Sequence, residues 1–471
     1  MTESAVKVNG TSGTVAVLMV AMAFWTSSAA ARTYYVDAVG GDDDFSGCEP
    51  ECAWRTIGRV NRAELQPGDS VLFRRGGLWR GETLIPKSGS EGNPVCYGAY
   101  GDGEKPIFQG SVDLSDAGIW LEHATNVWTV DPEKVALSLD IGSIVLDHGP
   151  KTGWRKWKME DLIADDDYFY DRDAKRLYYR SEGNPASRCW SMEAAQNMRL
   201  VDQSRCSNVV YEGIWLRYAN FAFGGGSTRR LTIRDCDMCY IGGCCHRVYP
   251  DGYHARFGNA VEFWGGCSSN LVEHCRIWEV YDAALTHQNQ DYVQTEEFIT
   301  YRDNIIWNCE FSFEYWNRPA ESKTRHIVFE HNTCVDAGCE WSRRERQDKN
   351  AAHLMFYWCD ATNEDFVVRN NVFVGSKDYL FRMDTDWCAA LKIDHNLWWA
   401  TDGEPVCYWQ MSEKISDFEE YKRKLKVAET GSVFARPEFV DAAGRNYRLK
   451  PGSVGSNLAS DGGPMGARLG R

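Results

Sequence analysis

The chain has 471 residues, 43% apolar and 25% charged, an ordinary soluble composition with ample material for a core. A net charge of −15 argues against a general nucleic-acid binder, because phosphate contacts need a basic face. Length alone leaves both a set of two or three domains and one elongated solenoid open.

Residues 1–31 read as a secretory signal. The apolar run Thr14–Trp25 is too short to span a bilayer and leads to Ala29-Ala30-Ala31, so cleavage after Ala31 would leave Arg32 first. Lys7 offset by Glu3 makes a weak basic start, which keeps a longer leader or a retained anchor as the alternative. The expectation is a secreted or periplasmic protein with no membrane association in its mature form. In such a compartment some of the 17 Cys should pair, and Cys48 with Cys52 in "CEPEC" is the best local guess. Asp42–Asp44 could hold Ca²⁺, although a solvated turn is the favoured reading. "CDMCYIGGCCH" (Cys236–His246) suggests zinc only superficially, since its spacing fits no common module.

Further along, a weak repeat runs from about 205 to 400: "LTIRDCDM", "LVEHCRIW", "ITYRDNIIW", "IVFEHNTCV", "FVVRNNVFV" and "LKIDHNLWW". The shared position is Cys236, Cys275, Asn304, Asn332, Asn371 and Asn396, at intervals of 39, 29, 28, 39 and 25 residues. Uneven but coil-sized intervals suit a solenoid with loops of varying length. Asn at a sharp corner tolerates left-handed dihedrals while its amide bonds the coils above and below, so an Asn ladder is expected there.

A second repeat follows each ladder position: 259–266, 282–290, 309–318, 353–360 and 379–386. Side chains alternate along a strand. Placing Val261, Leu285, Phe313, Met355 and Phe381 inward also turns Phe263, His287, Tyr315, Tyr357 and Met383 inward. The outward rows are then Glu262, Thr286, Glu314, Phe356, Arg382 and Trp264, Gln288, Trp316, Trp358, Asp384, with Arg318, Asp360 and Asp386 in a third. The opposite register would bury Glu262, Glu314 and Arg382.

At this point the chain resembles secreted bacterial right-handed parallel β-helix proteins of the pectate-lyase-like superfold, which include glycoside hydrolases and polysaccharide lyases. "YYVD", "GGDDDFSG" and "WRTIGRVN" are similar to that family's first strand and capping helix, with Trp54, Ile57 and Val60 as the helix's apolar side. "LQPGDSVLFRRGGLWRG" and "YGAYGDGEKPIFQG" resemble its first coils, "DYFYDRDAKRLYYRSEGNPA" a small antiparallel insertion, and "PEFVDAAGRNYRLKPGS" its closing segment. "KISDFEEYKRKL" reads as an amphipathic helix ahead of the last strands. The resemblance implies an all-β chain: cap and first coils over 32–111, a β-rich insertion over 112–198, the main solenoid over 199–400 and a closing segment over 401–471. It carries over no catalytic residue.

Coils ~4.8 Å apart would put Asp360 and Asp386 about 5 Å from each other, and Glu262 and Glu314 roughly 9.6 Å. Both figures bear on carboxylate pairs of glycosidases. The leading expectation is hydrolysis of a polysaccharide or oligosaccharide. Glu314 with Asp360, Asp384 or Asp386 would be acid and base or nucleophile, Glu262 a further carboxylate, and Trp264, Trp316 and Trp358 sugar platforms beside Gln288. The runner-up is β-elimination on a uronic glycan, with Arg318 and Arg382 neutralising the carboxylate and His287 with Tyr315 or Tyr357 moving protons. His287 also reads as a satisfied core histidine. Basic loops, "WSRRER", "SKTR" and "HRVYPDGYHARF", suggest an anionic glycan. A non-catalytic glycan-binding solenoid is the third reading.

Overall fold

The computed structural model describes residues 30–149, 151–400 and 405–468; the apolar run 14–25 lies outside them. The protein is almost entirely β, and no helix among the described residues is long and apolar enough to cross a membrane. One sheet of ten strands runs from Thr33–Val36 to Leu391–Asp394 in chain order, with parallel pairs throughout. Successive passes of the chain therefore stack on one another. The register repeats the same inward position on each: Ile233, Val272, Tyr301, Phe329, Val368 and Ile393 lie side by side and are all buried. Each such side chain contributes about 1.5–3 kcal/mol by leaving water.

The corner after this sheet is built by amides. The side-chain oxygen of Asn332 accepts the backbone N–H of Asn304 at 3.0 Å and its side-chain N–H at 2.9 Å. Asn371 does the same for Asn332, and Asn396 for Asn371. Each Asn also donates to a carbonyl of the preceding coil, such as Tyr301 or Phe329. The expected ladder is present, but the left-handed dihedral sits one residue earlier. Asp235, His274, Asp303, His331, Asn370 and His395 have φ of 48–58°. Asp, Asn and His are the side chains that best tolerate that region. The turn and the hydrogen bond are thus divided between neighbours.

After the corner the chain forms the face that matters here: β1 (Val261–Trp264), β2 (Arg276–Asn289), β3 (Ile305–Asn317), β4 (Ala352–Phe356) and β5 (Tyr379–Met383), all parallel. Val261, Leu285 and Phe313 face inward as expected. On β4 the expectation is one residue out. Leu354, not Met355, pairs with Phe313 and Phe381, so Phe356 is in the core, Met355 stands on the outer side and Tyr357 follows it. A one-residue slip inverts every side chain of a strand.

The strand Val95–Tyr100 pairs directly with Ser207–Glu212, and Ile107–Gln109 and Arg199–Asp202 pair in parallel with Trp215–Gly224, so the chain between those two strands leaves the stack. Much of it forms a five-stranded sheet with its own core around Trp120, Tyr168 and Tyr179. The near end is covered by α1 (Ile57–Arg62), whose Ile57 and Val60 are buried and whose Thr56 accepts the Arg59 N–H. Asp43 is committed to that cap, accepting from Arg55 N, Thr56 N and Thr56 Oγ1. No cluster of three or more His, Cys, Asp or Glu among the described residues is arranged to hold a metal. At the far end α2 (Phe418–Leu425) buries Tyr421 and Leu425. All 17 cysteines are free thiols, so the expected Cys48–Cys52 bridge is not formed.

Asn332→Ala removes one acceptor and two donors from a fully buried corner. It is expected to lower unfolding free energy by about 2–4 kcal/mol in denaturant titrations, leaving buried N–H and C=O groups unpaired; a loss below about 0.5 kcal/mol would show that the ladder does not hold the coils.

Candidate active site

Beside β1–β3 lies a groove of about 1060 Å³. Its floor crosses successive coils from Asn197–Arg199 through Phe221 and Gly225-Gly226 to β1, β2 and β3. The hairpin Cys244–Val248 and His254–Phe257 supplies one wall through His246, Arg247 and Phe257. A Cβ on Gly226 would lie 2.1 Å from the Trp264 carbonyl, so the absence of a side chain lets this coil pass beneath Trp264.

Two rows follow from the register. Glu262, Thr286 and Glu314 form one, and Trp264, Gln288 and Trp316 the other. The Trp264 and Trp316 rings meet edge to face at 5.5 Å. Arg318 lies outward with its guanidinium 4.4 Å over the Trp316 ring. Glu262 is held by Asn259, whose Nδ2 donates at 2.7 Å. Gln288 Nε2 donates to Glu314 Oε2 and, at 2.9 Å, to Thr286 Oγ1.

A third carboxylate, Asp282, lines the same groove and was not singled out from the sequence. It stands on a β-bulge: Val280 pairs with Cys309 and Ala283 with Phe311, so Tyr281 and Asp282 together oppose Glu310. Bulges re-aim side chains beside functional sites. The signal was present as a count, since Cys275 to Leu285 spans one residue more than Asn304 to Phe313.

Burial pushes the Asp282 carboxyl up to about 7; Arg346 opposes this, while Asp348, Glu310 and Glu262 add to it. Glu314 is held well above the ordinary carboxylate range by burial, then by Asp282 and Glu262, against hydrogen bonds from Thr286 and Trp316. Glu262 is raised by burial, with Asn259 and Arg199 opposing. Three carboxylates that hold one another's protons can divide acid and base roles between them.

The other sequence candidates lie elsewhere. His287 is inside the solenoid, its Nδ1 3.3 Å from the Tyr301 hydroxyl, and burial lowers its pKa to about 3. Tyr315 is also a core residue, donating to Asn363 Oδ1 at 2.5 Å. Trp358 is exposed and donates to Asp360 Oδ1 at 2.7 Å, outside the groove. Asp384 is paired with Arg382 at 2.8 Å, and Arg382 lies near the Tyr357 and Tyr408 rings. Asp386 is exposed and accepts from Cys388 N. Asp360 and Asp386 thus form no carboxylate pair in the groove, because the slip on β4 undoes the alignment that joined them. Of the basic loops, "HRVYPDGYHARF" reaches the groove, whereas Arg325 of "SKTR" is paired with Glu297.

No family model matches the chain. It is 34% identical over 342 residues to a lacto-N-biosidase of Bifidobacterium longum subsp. longum, a match covering 57% of this chain and 21% of that one. The chain thus spans about a fifth of that relative's length. A solved structure described as a glycoside hydrolase superposes with a TM-score of 0.52 at 8% identity, covering 86% of this chain and 96% of the other, a likeness of fold. Pectate lyase Pel9A superposes with a TM-score of 0.48 at 12% identity over 91% and 92%.

Glu262→Gln removes a like charge from beside Asp282 and Glu314, which favours their ionised forms. Asp282 should then titrate below about 7. Carboxyl carbon NMR across a pH series checks this; an unchanged midpoint would mean that the three groups do not interact.

Proposed function

We propose that this chain is an exported glycoside hydrolase built on a right-handed parallel β-helix, acting on an oligosaccharide or polysaccharide. The observation that carries the reading is that Glu262, Asp282 and Glu314, close enough to raise one another's proton affinity, line one groove with Trp264 and Trp316. The identity with a lacto-N-biosidase over more than half of this chain supports the same class of reaction. The right hand follows from the strong preference of parallel strand crossovers.

In this reading Glu314, kept protonated by its neighbours, gives its proton to the leaving glycosidic oxygen. Asp282, with Arg346 behind it, is the carboxylate that meets positive charge developing at the anomeric carbon. Glu262 raises the proton affinity of both, and the two Trp rings offer apolar faces to the C–H side of the sugar. His287 and Tyr315, two of the proton carriers expected of an eliminative mechanism, stand in the core and reach no substrate in the groove, and Tyr357, on the outer side after β4, is not among the residues that line it.

Incubation with neutral, uronic and sulfated glycans should release saturated reducing ends; unsaturated, ultraviolet-absorbing ends would indicate elimination, and binding without product would end the enzyme reading. Glu314→Gln and Asp282→Asn should each lower kcat by about 10²–10⁴-fold, whereas Asp360→Asn and Asp386→Asn should stay within about twofold of the parent, as exposed surface changes do.

A further inference from the structure

The segment 338–350, between the strand Thr333–Ala337 and β4, looks from its sequence like a basic face for an anionic ligand. In the folded protein its arginines are bound within the protein, Arg346 buried, Arg343 half-buried and Arg344 exposed. Arg343 forms a double hydrogen bond with Asp378 at 2.5 and 3.0 Å. Arg344 donates to the carbonyls of Thr152 and Gly153 in the insertion at 2.8 and 3.0 Å. Between them the segment is strapped to both the solenoid and the insertion, and Glu345 adds a buried pair with Arg256 at 2.7 Å.

Arg346 is the member of this strap that reaches the groove-bearing strand. Its Nη1 donates to the carbonyl of Tyr281, the residue before Asp282 in the bulge. Its Nε lies 3.4 Å from Glu310 Oε1, and Glu310 is the residue opposite the bulge. The guanidinium also covers the Tyr281 ring at 4.5 Å, with Arg256 at 4.6 Å from the same centroid. Upstream, the backbone N–H of Trp341 donates to Glu279 at 2.7 Å, so the strap grips β2 immediately before the bulge as well. A bulge takes backbone groups out of the ladder, and here a buried guanidinium meets one of them.

We propose that Arg346 is a positioning residue for Asp282, fixing the bulge through the Tyr281 carbonyl and holding a permanent positive charge behind the carboxyl. The inference rests on the reading of Asp282 and Glu314 as the working carboxylates. The acids set around Asp282 are Glu262 from β1, Glu310 and Glu314 from β3, and Asp348 from the strap. The phenols of Tyr281 and Tyr357 stand near it as neutral groups held up by burial, as does Tyr253 of the hairpin loop. Arg346 is the cation opposed to these acids. It lowers the proton affinity of Asp282 and not that of Glu314, whose named neighbours include no cation. Arginine suits the task because its planar fork meets a carbonyl and a carboxylate together and never loses its charge.

The test combines carboxyl carbon NMR of the aspartates, which needs no substrate, with steady-state kinetics. In Arg346→Gln the Asp282 midpoint should rise by about one unit or more, and the acid limb of kcat/KM should move with it. At the optimum kcat should fall about tenfold to a hundredfold, with KM changed by less than about threefold. Arg346→Lys keeps the charge but not the fork, so the midpoint should return towards the parent value while kcat stays about tenfold low. Arg344→Gln breaks the strap's hold on the insertion carbonyls of Thr152 and Gly153 without touching Glu310 or the bulge; it should lower thermal stability and leave the Asp282 midpoint in place. An unchanged midpoint in Arg346→Gln, or parental kcat in Arg346→Lys, overturns the proposal. Full activity in Asp282→Asn overturns instead the reading of the site, and the NMR midpoints tell the two failures apart.

Discussion

The amide ladder at Asn304, Asn332, Asn371 and Asn396 is the constraint on which the rest of the molecule depends. Each amide bonds the next coil, so from Cys275 to Asn396 it fixes where a coil begins its second strand. From that origin, the number of residues along the strand decides which side chain faces the core and which faces water. One amide lattice therefore sets the chemistry of the outer surface as firmly as it sets the fold.

That dependence explains what could and could not be seen in the sequence. The Asn register and the inward Val261, Leu285 and Phe313 are periodic, and periodic features are legible because each coil repeats the evidence of its neighbours. Trp264, Gln288, Trp316, Glu262 and Glu314 fell into rows for the same reason. The failures occur where the period breaks. On β4 the run "LMFYW" offers apolar or aromatic side chains at every position, so either register buries something hydrophobic, and the expectation gives Met355 the place that Leu354 occupies. Asp282 required a count of the extra residue between corner and core, not a pattern of residue types. The left-handed dihedral was assigned to Asn because Asn can do both jobs; the structure divides them between two residues, which periodicity does not reveal.

Charge shows the same difference between composition and arrangement. "WSRRER" reads as a solvent-facing basic patch, yet its guanidiniums end on Asp378, on carbonyls of the insertion and on Tyr281. Buried carboxylates such as Glu310 and Glu345 are tolerated because arginines lie against them. The groove departs from that rule. Glu262 and Glu314 have amide partners in Asn259 and Gln288, which leave their proton affinity high.

The direct pairing of Val95–Tyr100 with Ser207–Glu212 bears on how the chain reaches this state. Every other junction in that ten-stranded sheet joins coils separated by a few tens of residues, so it can close from local encounters. At this seam the stretch between Ile107–Gln109 and Arg199–Asp202, both of which lie in the stack, must be looped out before the two edges meet. Loop-closure entropy grows slowly with length, but contacts so distant in sequence form late and leave strand edges bare while they wait. The early coils and the groove-bearing coils are in this sense two nuclei, and the seam between them is where a growing chain is most exposed to pairing with the wrong partner.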